Sequence, residues 1–142
     1  MEKYNLEIYD RSRVNNEILM RVIKLFVVKE KQIRFLEFIE SRKRYDDFLD
    51  ELLNDPRNLK RDCIIEIPNN EQSREIIAKK LRQLGAGKKA YLISNDDEID
   101  GYIGDLEEVI ALAQIEGLIY CLESNLGYYE GHENWRYILR AV

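Results

Sequence analysis

Apolar residues in the first third of the chain recur at the three- and four-residue spacing of amphipathic helices. From Asn16 to Glu40 this spacing predicts one helix that bends near Val28, preceded by a loose arm or a short helix. Ser41 is predicted to break and cap the chain, and a second helix follows it. This helix ends before Pro56, because the residue before a proline is disfavoured in helical conformation. The apolar positions at helical spacing are Ile18, Leu19, Val22, Ile23, Leu25 and Phe26 in the first helix and Tyr45, Phe48, Leu49, Leu52 and Leu53 in the second.

Beyond that proline the pattern changes to short runs rich in β-branched residues, separated by helical segments. Strands are predicted at 62–68, 88–94 and 118–122. The helices between them are predicted to begin at Asn69-Asn70 and at Asp105, since asparagine and aspartate are strong helix N-caps. Connections of this length are typical of crossovers, so the order β-α-β-α-β predicts three parallel strands with helices packed against them.

The last segment contains two further short strands with no helix between them. They cover 126–129 and 136–139 and are predicted to form an antiparallel hairpin at the edge of the sheet. The expected fold is therefore α/β or α+β, with N-terminal helices followed by a mixed sheet of about five strands covered by helices. A chain of 142 residues is long enough for one core, so we expect a single domain with a helical part (1–55) and an α/β part (60–142).

Composition and charge exclude several classes of function. The chain is 45% apolar and 35% charged with a formal net charge of −5, which is typical of soluble proteins and unfavourable for non-specific binding to nucleic-acid phosphates. No apolar run reaches the roughly 20 residues of a membrane span, and the N-terminus lacks the apolar stretch of a signal peptide. We therefore expect a cytoplasmic protein with neither a membrane nor a nucleic-acid partner.

Residue types that bind metals or attack substrates are scarce. Cys63 and Cys121 each lie in an apolar run, which predicts buried free thiols. His132 is the only histidine, so a histidine-rich zinc site is excluded. His132 stands close to Glu130, a pairing capable of acid–base chemistry, but no recognisable nucleophile accompanies it. We assign no catalytic residue and expect no cofactor.

An acidic loop after the second predicted strand resembles a calcium-binding loop. Asp96, Glu98 and Asp100 alternate, Gly101 allows a sharp turn, and Glu107 follows eleven positions after the first carboxylate. Glutamate at the third position of the loop, and a strand where a helix should enter, count against calcium. A plain loop with a helix cap is the favoured interpretation, and a calcium ion is the alternative.

The carboxyl ends of the predicted strands are the first candidate for a ligand site. In open α/β sheets ligands bind at these ends, where the sequence places three polar pairs: Asn69 and Asn70, Ser94 and Asn95, and Ser124 and Asn125. Asn69 and Asn70 also begin a predicted helix, whose free N–H groups can hold an anion. No glycine-rich phosphate loop accompanies them.

The terminal hairpin is the second candidate. It carries Tyr129, Glu130 and Arg136, which we assign with Asn69, Asn70 and Ser94 to a ligand-binding site. The hairpin also predicts an aromatic sheet edge. An exposed edge of this kind is a natural place for pairing with a second copy of the chain or with another protein.

Several short segments of the chain resemble a family of small bacterial proteins that has no assigned activity. The resemblance covers roughly residues 30–140 and rests on Leu84-Gly85-Ala86, Tyr91-Leu92-Ile93-Ser94, Asp100-Gly101, the string from Leu126 to Gly131, and Arg136-Tyr137-Ile138-Leu139. It implies no catalytic residues. The family pattern keeps Asp-Gly in the acidic loop without alternating carboxylates, which disfavours calcium, and it does not include His132.

Two functional hypotheses follow. The first is a cytosolic binding or regulatory module that acts through protein contacts, most simply as a homodimer. The alternative is a small-molecule or nucleotide-binding protein, hydrolases included, with a site at the carboxyl ends of the parallel strands. A cavity lined by Ser94, Glu130 and Arg136 favours the alternative, and burial of Tyr128, Tyr129 and Trp135 between two copies favours the first.

Overall fold

The computed structural model describes residues 11–113, 117–131 and 135–142, and the predicted N-terminal arm lies largely outside them. Over these residues the fold is α+β, with five α-helices and a six-stranded antiparallel sheet. The helices are α1 (Arg11–Phe26), α2 (Lys29–Glu40), α3 (Tyr45–Asn54), α4 (Arg74–Gln83) and α5 (Leu106–Leu112). The strands are β1 (Ile64–Glu66), β2 (Lys89–Ser94), β3 (Ile103–Asp105), β4 (Gly117–Cys121), β5 (Leu126–Glu130) and β6 (Arg136–Arg140).

The long N-terminal helix that periodicity predicts is broken into α1 and α2 at the position of the predicted bend. Val27 leaves the helix to form an antiparallel bridge with Leu59. The N–H of Val28 donates to the carbonyl of Asn58 at 2.8 Å, and the N–H of Lys60 donates to the carbonyl of Phe26 at 2.7 Å. These bonds to a distant segment replace helical ones, so tertiary pairing overrides the local pattern. Helix α3 ends before Pro56, as predicted.

Helix α4 begins later than predicted. Asn69 starts a 3₁₀ turn, in which the N–H of Glu71 donates to the carbonyl of Pro68 at 2.8 Å. The N-cap of α4 is Ser73, whose hydroxyl accepts from the N–H of Ile76 at 3.2 Å. The prediction that Asn69-Asn70 caps this helix is therefore wrong, because the 3₁₀ turn separates it from the first helical residue.

Every pair of neighbouring strands is antiparallel, in the order β1-β6-β5-β4-β2-β3, so the prediction of three adjacent parallel strands is wrong. The reason is β3, a strand that the sequence pattern did not indicate. It forms a hairpin with β2 and reverses the chain before α5 begins. Helix α5 then crosses over β2 and delivers β4 to its other side, which makes β4 antiparallel to β2.

The two remaining strand predictions have mixed outcomes. Strand β1 does run in the same direction as β2, but β6, β5 and β4 lie between them. The terminal hairpin β5–β6 is antiparallel, as predicted. It does not form the edge of the sheet, because β1 pairs with the outer side of β6.

Helices cover both faces of the sheet and create two apolar clusters. On one face α1, α2 and α3 pack against Tyr91, Tyr120 and Tyr129, all of which are fully buried. On the other face α4 and α5 pack against a second set of sheet residues that includes Tyr128 and Cys121.

Cys63 and Cys121 are buried and free, as predicted, and burial raises the pKa of Cys121 to about 12. Among the described residues, no helix is long and apolar enough to cross a membrane.

Candidate functional site

The sheet places three of the predicted site residues in one row. In register, Ser94 lies opposite Gly117, Gly117 opposite Glu130, and Glu130 opposite Arg136. Directly paired residues point to the same face, and here it is the face covered by α4 and α5. The row forms because β2 and β5 run in the same direction, so their carboxyl ends meet at one end of the sheet.

Glu130 is the centre of this row and is only 4% exposed. The hydroxyl of Tyr128 donates to its Oε1 at 2.8 Å, and Nη2 of Arg74 donates to its Oε2 at 3.4 Å. Nε of Arg136 lies 3.8 Å from Oε1, an ion-pair contact that is too long for a hydrogen bond. A buried carboxylate is tolerated only when it is paired, and these groups supply the pairing. Arg74, Tyr128, Glu130 and Arg136 are called the arginine site below.

Arg74 ties three elements together at this site. It is the first residue of α4, and its Nη1 donates to the carbonyl of Ile110 in α5 at 2.8 Å. A cation at the positive end of a helix is electrostatically unfavourable. The carboxylate of Glu130 offsets this, so the arginine is held where the helix alone would not favour it.

Arg136 keeps donor capacity that the described chain does not use. Its Nη1 donates to the carbonyl of Gln72 at 3.2 Å. Its Nε is buried and has no hydrogen-bond partner among the residues that the structure describes. The side chain as a whole remains 27% exposed, which leaves the guanidinium accessible from one side. Gln72 is itself fixed, because its side-chain amide donates to the carbonyl of Ile67 at 3.0 Å.

The site carries an excess of positive charge. Two guanidinium groups face one carboxylate, and Tyr128 adds no charge because burial, reinforced by the neighbouring Glu130, raises the pKa of its hydroxyl. Tyr128 therefore stays a neutral donor across the physiological range. Summed over Arg74, Glu130 and Arg136 alone, the formal charge is +1, in a chain whose formal net charge is −5.

The other predicted ligand-binding residues stand in different relations to this site. Asn69 touches its rim, since its side-chain oxygen accepts from Gln72 at 3.4 Å, while Asn70 is exposed and makes no such contact. Ser94 shares the row, but its hydroxyl accepts from the N–H of Asp96 and serves the following turn. Tyr129 points to the opposite face, where its hydroxyl donates to the carbonyl of Leu53 at 2.9 Å. His132 lies outside the described residues.

The four carboxylates of the acidic loop do not converge. Asp100 is buried and accepts from the N–H of Ser94 at 2.9 Å and from the hydroxyl of Tyr45 at 2.6 Å. Asp96 accepts from the N–H of Glu98 at 3.0 Å, a bond within its own turn. Glu107 pairs with Arg82 instead. Across the part of the chain that the structure describes, no group of three or more histidine, cysteine or acidic side chains is arranged to hold a metal ion.

The Arg82–Glu107 pair makes a pH-dependent prediction. Two hydrogen bonds of 2.7 Å from Arg82 lower the pKa of Glu107 to about 2, from a usual value of 4.5. A lowered carboxyl pKa stabilises the fold above the unfolded pKa, and that stabilisation is lost as the pH falls from about 4.5 towards 2. We expect Arg82→Gln to return the Glu107 pKa towards its usual value in an NMR carboxyl titration. The pair is exposed, so the loss of stability at neutral pH should stay below about 1 kcal/mol. A Glu107 pKa that stays low in Arg82→Gln, or that rises equally in the control Lys79→Gln, would contradict this.

Arg74 and Tyr128 are members of the site that the sequence interpretation missed. The sequence assigns Tyr128 to an aromatic edge, but residues on a strand alternate, so Tyr128 faces the same side of the sheet as Glu130 and the opposite side from Tyr129. The signal for Arg74 is its place in the first turn of α4, where an acidic residue is favoured. A basic residue there indicates that a negative group lies nearby.

Comparisons with protein families, with curated proteins and with solved structures gave no match to this chain. The resemblance to a bacterial family therefore stays a prediction, and the site is interpreted from its own chemistry.

Proposed function

We propose that this protein binds a small anionic molecule, carrying a carboxylate or a phosphate group, at the arginine site. The observation that carries the proposal is Arg136, whose side chain is 27% exposed and whose Nη1 is anchored on the carbonyl of Gln72, while its Nη2 makes no hydrogen bond or ion pair with any described residue. The exposed part of this guanidinium can donate charge-assisted hydrogen bonds to an anion without breaking the bond that holds Nη1.

The arrangement of Glu130 supports binding rather than catalysis. One of its oxygens accepts from Tyr128, the other accepts from Arg74, and Arg136 lies within ion-pair distance. The carboxylate is thus engaged in orienting two guanidinium groups. Oriented guanidinium groups recognise planar carboxylates and phosphates through paired N–H bonds, with little further loss of side-chain entropy on binding.

The hypothesis of contacts through an aromatic hairpin has less support. Tyr128 and Tyr129 are both fully buried within the chain itself, and β1 covers the outer side of β6. These aromatic side chains are not available to a second copy. A small ligand at the end of the sheet is therefore the proposal that the described residues favour.

The test is a ligand screen on the wild-type protein and two arginine variants of β6. Thermal shift and calorimetry are run with inorganic phosphate, dicarboxylates and nucleoside phosphates, and with uncharged analogues of the same size. We expect saturable stabilisation by a subset of the anions, since a ligand of the folded state raises apparent stability. Arg136→Gln should weaken that binding by about 10- to 100-fold, the value of one charge-assisted hydrogen bond.

The matched control is Arg140→Gln, which removes the same charge from an exposed position at the other end of β6. Arg140→Gln should leave the affinity for the anion unchanged, apart from a small, salt-dependent loss of long-range electrostatic attraction. A screen in which no anion stabilises the wild type, or equal losses in both variants, would refute the proposal. Urea unfolding of each variant shows whether a loss of binding merely reflects a loss of folding.

A further inference from the structure

A cavity lies far from the arginine site, where α1 ends and α2 begins. Its volume is about 480 Å³, and its lining includes Ala141, just beyond the end of β6 that is opposite Arg136. Small-molecule sites typically measure about 300–1,000 Å³, so this cavity is large enough for a ligand of modest size. It is called the basic cavity below.

One wall of the basic cavity is held firmly by bonds to the end of α1. Nζ of Lys60 donates to the carbonyl of Lys24 at 2.8 Å, and the Sγ–H of Cys63 donates to the carbonyl of Leu25 at 3.5 Å. These bonds satisfy carbonyl groups that a helix end would otherwise leave free. They fix Lys60, Leu25 and Cys63 in the lining, and the exposed side chains of Lys24, Lys29 and Arg61 stand around them.

The charge of the lining is the opposite of that of the whole chain. The side chains of Lys24, Lys29, Lys60 and Arg61 are positive and those of Glu30 and Asp62 are negative, so the side chains of the lining sum to +2. This sum does not include the main chain of Val142, which also lines the cavity. Lys24, Lys29 and Arg61 form no side-chain hydrogen bond or ion pair with any residue that the structure describes. Helix α2 begins here and its N-cap residue Val28 provides no side-chain cap, so its first N–H groups add partial positive charge, while the end of α1 adds partial negative charge.

Part of the lining of the basic cavity is apolar. Leu25, Val28 and Cys63 contribute to it, and the Cys63 thiol is kept neutral because burial raises its pKa. Apolar surface next to unpaired cations matches a ligand with a hydrophobic body and a single anionic group. The geometry points to a second binding site, which accepts an organic anion with an apolar body such as a medium-chain carboxylate.

Three probes separate the contributions of charge and apolar surface. Octanoate carries both features, inorganic phosphate lacks the apolar body, and octylammonium reverses the charge. By calorimetry we expect octanoate to bind at least tenfold more tightly than the other two. Amide NMR shifts on binding should centre on Val28, Lys29 and Glu30. Phosphate binding as tight as that of octanoate, equal binding of octylammonium, or no saturable octanoate binding would each overturn the inference.

Variants locate the binding and distinguish it from the proposed function. The double variant Lys29→Gln/Arg61→Gln should lose octanoate affinity by at least tenfold. Lys43→Gln/Lys88→Gln changes the net charge equally at two exposed positions and should not. Arg136→Gln should also retain octanoate binding, because that residue lies at the other end of β6. Octanoate affinity that falls with Arg136→Gln and survives in Lys29→Gln/Arg61→Gln would assign the ligand to the arginine site and overturn the second site.

Discussion

Glu130→Gln is expected to lower the free energy of unfolding by about 3 kcal/mol, because it leaves two guanidinium groups without their carboxylate. Glu130 is 4% exposed and contacts Arg74 and Arg136 at 3.4 and 3.8 Å. The amide also presents a donor to groups that are donors themselves. About a third of each arginine side chain is exposed, so water solvates part of the guanidinium charge that the variant leaves unpaired. The expected loss of unfolding free energy therefore lies at the low end of the range for a broken buried ion pair.

Urea unfolding monitored by circular dichroism measures this loss. The control is Glu66→Gln on β1, an exposed carboxylate near the same end of the sheet, whose removal should change stability by about 0.5 kcal/mol or less. Because Glu130 and Arg136 interact, the double variant Glu130→Gln/Arg136→Gln should lose less than the sum of its single variants. A Glu130→Gln variant as stable as the Glu66→Gln control would show that the carboxylate does not hold the arginines in place.

Gly127→Val is expected to destabilise the protein by about 3 kcal/mol, the upper end of the usual range for overpacking. A Cβ atom at Gly127 would lie 2.8 Å from the carbonyl oxygen of Ile119 and 3.5 Å from the ring of Phe26. The first contact is with the backbone of the neighbouring strand, which cannot move without disturbing the β4–β5 pairing. Phe26 packs over this position, so the added methyl groups also collide with the core between α1 and the sheet.

Gly87→Ala is the matched control for this position, because a Cβ there meets no atom within 4 Å. It should be neutral to within about 0.5 kcal/mol. Because both glycines lie outside helices, a similar loss of stability in both variants would reflect a change in backbone flexibility rather than overpacking. An unchanged urea midpoint in Gly127→Val would contradict the close contact between Phe26 and the sheet.

Strand β3 illustrates where sequence interpretation failed. Ile103-Gly104-Asp105 has no run of β-branched residues, and its aspartate resembles a helix cap. Its pairing with β2 comes from the neighbouring strand rather than from its own composition. Without the β2–β3 hairpin, the inferred direction of β4 and of the strands after it is reversed. For this reason the sequence predicts three parallel strands where the structure has an antiparallel sheet.

The site was anticipated in part. Glu130 and Arg136 were nominated because they flank the turn of one hairpin, a local feature. Arg74 is far from both in sequence and reaches Glu130 only because α4 packs on the face to which the carboxylate points. Tyr129, nominated with Glu130, faces the other side of the sheet, since neighbouring residues on a strand alternate.

The sequence by itself determined the α3 helix, the β2, β4, β5 and β6 strands and the buried state of both cysteines, because hydrophobic periodicity and β-branched runs act over short distances. Only the tertiary structure decided the order and direction of the strands, the break between α1 and α2, and the meeting of Arg74 with Glu130. Each of these depends on contacts between segments far apart in the chain, which no local pattern encodes.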